Sequence, residues 1–167
     1  YPFKELSGCG VGFKLICALM ANQNADPEKA YRYLDLVAVS TAADMVPITG
    51  ENRVLTFFGL KEINKRSRPG LKAILDIAGK TGEVTVNDVV FAIAPRINAA
   101  GRIESGNQAV ELLIAASADE ARRFSEAINI QNNTRKGLNE DITRKAMEQI
   151  RSDIGHPQRK STVVYDP

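Results

Sequence analysis

Three stretches of this chain carry residue types that could do chemistry. The first is Leu34-Asp-Leu-Val-Ala-Val-Ser-Thr-Ala-Ala-Asp44, followed by Met45-Val-Pro47. An aspartate at the end of an apolar helix is costly to bury as a charge unless it is paired or metal-bound. Asp44 therefore reads either as a cation ligand or as a helix-end aspartate, held by a hydroxyl such as Thr41 or left in solvent. One carboxylate is not a metal site, because hard divalent cations take several oxygen ligands.

The second stretch is Ile93-Ala-Pro-Arg-Ile-Asn-Ala-Ala-Gly-Arg-Ile103. Arg96 and Arg102 offer planar forks that match phosphate oxygens, and Asn98 can donate to phosphate or sugar. Small residues at Ala99-Ala100-Gly101 would let a ligand approach the backbone; equally, they would let two helices pack closely with two surface arginines beside them. The third stretch, Gly8-Cys9-Gly10-Val11-Gly12-Phe13-Lys14, could hold an anion at a helix start. It is not a Walker loop, and close packing of that helix start is the stronger reading. The basic residues Lys61, Lys65, Arg66 and Arg68, and those spread along residues 122–145, read first as solvated faces.

Apolar spacing places these stretches on helices almost throughout. Asp26-Pro27 is an N-cap followed by proline at the first helical position, opening a helix that runs toward Pro47. A second face runs from Val54 to Ile63, and a short helix from Leu71 to Ala78 closes at Gly79. Thr85-Val-Asn-Asp88 reads as a capping box, and Pro95 must kink or restart the helix it opens. Ala109–Ala116 is another short helix. A second capping box, Ser117-Ala-Asp-Glu120, opens a helix with no breaker except Gly137 before Gly155, about 30 residues or more. Its middle, Gln131-Asn-Asn-Thr-Arg-Lys136, is wholly polar, which suits a solvent-crossing connector. Lys160–Tyr165 reads as a strand. A lone strand is not a finished structure, and Tyr1 is not a natural start, so a fragment of a longer protein is expected.

The 167 residues suffice for a domain with a core, and 44% apolar with 25% charged residues is ordinary for a globular chain. No apolar run is long enough to span a bilayer. The balance of 22 basic to 20 acidic side chains is weak evidence for a polyanionic partner. Cys9 and Cys17 lie eight residues apart, roughly 12 Å along a helix, too far to bridge each other. Reduced thiols point to the cytoplasm. The single histidine, His156, forms no metal cluster with them.

Taken in order, several of these stretches resemble the RecJ branch of the DHH phosphoesterase family. The matching residues are Tyr1 to Leu15, Leu36 to Pro47, Gly50-Glu-Asn-Arg53, Gly59-Leu60, Arg68-Pro-Gly-Leu71 and, most specifically, Pro95 to Arg102. Departures are Gly12 for an alanine, and Ser40 and Ala42 for a glycine and a valine ahead of Ala43-Asp44.

The resemblance implies a mostly α fold: the helical C-terminal lobe of an α/β DHH catalytic domain (1–116), a long interdomain connector helix (117–155) and the start of a DHHA-type domain (156–167). It implies a 5′-to-3′ exonuclease acting on single-stranded DNA with Mn2+ or Mg2+, in repair and recombination. Asp44 falls on the family's last metal-binding, catalytic aspartate; Arg96, Asn98 and Arg102 fall on a motif lining the nucleic-acid path. The family's other metal ligands lie upstream of this segment, so the isolated chain is expected to be inactive. Loss of the sheet that the lobe would cover invites self-association. Competing readings are a helical nucleic-acid-binding or interaction module without catalysis, and a related DHH enzyme acting on oligonucleotides or nucleotides.

Overall fold

The computed structural model describes residues 1–44, 46–103, 106–152 and 160–165, with only the backbone of 102 and 103. Ser7 opens the first helix, α1 (Gly8–Asn22), its hydroxyl accepting from the Gly10 amide at 3.3 Å. Asp26 caps the next segment as expected, its carboxylate accepting from Glu28 N at 3.0 Å. The helix expected from there divides in two: Pro27–Tyr33 is 3-10, and α2 begins only at Leu34, running to Ala43. Thr49 then holds the N-cap position of α3 (Gly50–Arg66) without a side-chain capping bond, and α4 (Pro69–Ile77) starts with proline in its first turn.

The capping box at Thr85 is present in full: Thr85 accepts from Asp88 N, and Asp88 accepts from Thr85 N at 2.8 Å. It opens the single turn α5 (Val86–Asp88). Lys80 and Thr85 together hold the Asp88 carboxyl down at about 2, the Thr85 hydrogen bonds contributing most. At Pro95 the chain stays helical but changes its winding. Val89–Ile93 widens into a π turn, with Ala94 N donating to Val89 O, and α6 (Ala94–Ile103) continues from it. The wider turn absorbs the donor that proline lacks.

Two further helices complete the order, α7 (Asn107–Ile114) and the 35-residue α8 (Ala118–Ser152). Glu120 N donates to Ser117 Oγ, as the second capping box requires.

The main core gathers Ile63, Leu71, Ile74, Ile93, Leu112 and Ile128, drawn from α3, α4, the π turn, α7 and α8. A smaller cluster of Phe13, Leu34, Val37 and Leu55 seats α1 on α2 and α3. Helices α2 and α3 touch backbone to backbone: a Cβ on Gly59 would overlap the Leu34 carbonyl.

Between the clusters lies an ion pair that sequence reading missed. Arg68, assigned there to a solvated cluster, grips Asp35 with two prongs, Nε–Oδ2 at 2.6 Å and Nη2–Oδ1 at 2.8 Å. Its Nη1 also donates to the Leu113 carbonyl at 3.2 Å, tying α2 to the ends of α4 and α7. The Asp35 side chain is 4% exposed, so Arg68→Ala would strand a buried carboxylate. We expect that variant to lose about 3 kcal/mol in urea unfolding; a loss under about 1 kcal/mol would mean the pair is solvated.

The run 160–165, expected as a strand, has no ladder partner among the described residues. It lies instead along α8, where Gln149 Nε2 donates to the Tyr165 carbonyl at 2.9 Å. No described helix is long and apolar enough to cross a membrane. His156 lies outside the described residues.

Candidate nucleic-acid and metal site

The expected site residues lie on α2 and α6, which share one core: Val39 of α2 and Ala100 of α6 are both buried in the main cluster. Asp44 is the C-cap of α2, its amide donating to the Ser40 carbonyl at 3.0 Å. Its side chain is exposed, so the cost of burying a charge does not apply to it. Nor does Thr41 hold it, because the Thr41 hydroxyl is buried against Ser7 Oγ at 3.2 Å. Among the described residues no three His, Cys, Asp or Glu side chains are grouped so as to hold a metal ion. Mg2+ and Mn2+ favour about six oxygen donors. Asp44 is therefore one donor, and these residues alone do not fit an ion.

On α6, Arg96 is half-buried and Asn98 exposed, while Ala99 and Ala100 are fully buried beneath them. Both readings of the small-residue run meet here: it packs α6 against its neighbours while Asn98 faces outward. Arg96 Nε donates to Asn129 Oδ1 on α8 at 3.1 Å, and Nη1 donates to the Ala92 carbonyl of the π turn at 2.9 Å. Burial lowers the pKa of its guanidinium from the ordinary value. The side chain of Arg102, which shares this helix, lies outside the described residues.

The polar middle of α8, expected to be solvated, is partly buried. Asn132 is 0% and Gln131 8% exposed. Gln131 Nε2 donates to Gln108 Oε1 on α7 at 3.1 Å, and Arg135 Nη2 reaches Asn132 Oδ1 at 3.4 Å. Sequence reading missed this belt because polar composition alone does not distinguish solvent from polar partners.

At the glycine-rich start, Gly10 packs on Leu6 while Gly8 and Gly12 face open space. Cys9 and Cys17 are both free.

No family model matches the chain. The single-stranded-DNA-specific exonuclease RecJ of Bacillus subtilis is 39% identical over 151 residues, covering 90% of this chain and 18% of that protein. The protein of the same name from Thermus thermophilus is 37% identical over 161 residues, 96% of this chain and 23% of its own length. Solved structures agree. RecJ of T. thermophilus in complex with Mg2+ superposes with a TM-score of 0.79 at 37% identity, covering 88% of this chain and 23% of that one. Exonuclease RecJ bound to manganese gives 0.79 at 38% identity, over 89% of this chain and 38% of that one. The chain spans about a fifth to a quarter of the full-length relatives named here.

Proposed function

We propose that this chain, homologous in sequence and fold to a segment of RecJ-type exonucleases, is that segment of a metal-dependent exonuclease that degrades single-stranded DNA from its 5′ end. The observation that carries the reading is the agreement of sequence and fold over almost the whole chain. Residues 1–116 are the helical lobe of the catalytic domain, 117–155 the connector and 156–167 the start of the next domain. The process served is DNA repair and recombination. The two unpaired thiols suit a cytoplasmic protein.

In this reading Asp44 supplies one oxygen to an Mn2+ or Mg2+ centre, and its exposure leaves the carboxylate accessible to an ion. Its remaining donors come from outside this segment. What such ions supply is charge stabilisation at the attacking and leaving oxygens of the phosphodiester. What this chain's own residues do is bind and orient. Asn98 and Arg102 present donors to the DNA backbone, and Arg96, anchored by Asn129, fixes the position of α6 and adds positive charge. With one ligand, the isolated chain hydrolyses nothing.

The test is manganese-dependent degradation of 5′-labelled oligonucleotides. It compares the isolated chain with a B. subtilis RecJ in which the matching segment is replaced by this chain. We expect an inert isolated chain and a chimera that degrades single strands but not duplex. A folded chimera that binds single strands without cutting them would favour the binding module. An active isolated chain would overturn the single-ligand reading. The face of α1 carrying Val11, Leu15 and Leu19 is more than half exposed at each position, so the isolated chain should self-associate. Sedimentation of the same sample reads this directly, and a strictly monomeric chain would refute it.

A further inference from the structure

Where α6 and α8 cross, positive charge stands without a counter-ion among the described residues. Arg96 is held by Asn129 Oδ1 and the Ala92 carbonyl, both neutral acceptors. Arg135, two turns further along α8 than Ile128, donates to Asn132 Oδ1, again a neutral acceptor. Among the described residues neither arginine ion-pairs with a carboxylate, although the chain has 20 acidic side chains. Arg144, further along α8, reaches both Asp141 and Glu148 at 3.2 Å.

Two buried donors in the same corner are also unanswered. Asn132 Nδ2 and Arg135 Nε are shielded from solvent and have no hydrogen-bond partner among the described residues, and Asn132 is 0% exposed. A buried donor left without an acceptor is costly, by an amount comparable to a lost hydrogen bond or more. Asn132 Oδ1, the acceptor beside these two donors, already takes the Arg135 guanidinium, so neither donor is answered there. One phosphate group supplies acceptors for both and negative charge for Arg135. Arg135 is only half-buried, so part of its side chain faces solvent.

We infer that Asn132 and Arg135 of α8 form a phosphate-binding subsite beside Arg96 of α6. It extends the nucleic-acid path from α6 onto the long helix. The source of the phosphate, a DNA backbone, rests on the function proposed above; the anion subsite itself does not. A helix that carries both this subsite and the segment's C-terminal half couples substrate binding to whatever that half is joined to.

The test is nuclear magnetic resonance of this chain, following the Arg135 Nε–H and Asn132 side-chain amide signals. The probes are inorganic phosphate and a 5′-phosphorylated oligothymidylate. We expect saturable shifts of both signals with each probe. Asn132→Asp, nearly isosteric and able to pair with Arg135, should weaken phosphate binding at least tenfold while leaving the helical circular-dichroism signal intact. Arg135→Gln should act the same way and lower the salt dependence of oligonucleotide binding by about one counter-ion.

Signals that stay fixed as phosphate is added would mean the donors are served by buried water, and the inference falls. Shifts with phosphate but not with the oligonucleotide would keep the subsite and overturn the DNA reading. Oligonucleotide binding with both signals fixed, in a chain whose signals phosphate also leaves fixed, would overturn the subsite and leave the DNA reading standing.

Discussion

Gly70→Ala should unfold the lobe at denaturant concentrations where the parent chain is fully native, with a loss of about 5 kcal/mol or more. Gly70 lies in the first turn of α4 and is buried. A Cβ there would overlap the carbonyl of Leu112, with the Leu112 carbonyl carbon at 2.7 Å and the Leu113 Cα at 3.3 Å. All three obstacles are backbone, so no side-chain rotation relieves them and α4 must move away from α7. That movement would open the core at Leu71 and Leu112, both 0% exposed, and would pull Arg68 from Asp35 and the Leu113 carbonyl. Overpacking a core commonly costs about 1–3 kcal/mol, and here several contacts fail together.

Gly137→Ala supplies the control, because nothing lies within 4 Å of its Cβ position on α8. There alanine should stabilise by about 0.5–1 kcal/mol through helix propensity alone. The two substitutions are chemically identical and opposite in expected sign. Equal, small effects in urea titrations of both would refute the close approach of α4 to α7.

The same contrast explains what could be read from the residues in order. Signals confined to a few neighbours were legible: Asp26 before Pro27, Thr85 with Asp88, and Ser117 ahead of α8 each cap where the local pattern placed them. These bonds close within four residues, so local order suffices to specify them. Features that depend on a distant partner were not legible. Asp35 interrupts an apolar run, but nothing in that run names Arg68, 33 positions away, as its partner. Asn132 looks solvated in sequence and becomes buried only because α8 runs against α6 and α7.

For Asp44 the apolar run ahead of it left burial and exposure both open, and this C-cap residue of α2 projects into solvent. The run 160–165 has strand composition but no neighbouring strand among the described residues to pair with. For the candidate site, physical reading of the residues left Arg96 and its neighbours balanced between binding and packing. The structure places Arg96 in a packing contact and leaves Asn98 outward.

Exposure makes Asp44 a clean test, because its side chain can be removed without disturbing the fold. In the chimeric exonuclease, Asp44→Ala should lower turnover of single-stranded DNA by about 1,000-fold, the equivalent of about 4 kcal/mol of transition-state stabilisation. The role of Asp44 in α2 is carried by its backbone amide, which still donates to Ser40 O when the side chain is alanine. No described hydrogen bond or ion pair involves the Asp44 carboxylate, so stability should change by no more than about 0.5 kcal/mol. A large loss of rate at unchanged stability is what a metal ligand predicts and what a helix-end residue does not. Asp44→Asn keeps one oxygen and removes the charge, so it should recover part of the rate at raised manganese concentration. Rates equal to wild type in both variants would take Asp44 out of the metal centre. The cation would then be held entirely by residues outside this segment, and the contribution of the segment would reduce to binding the DNA.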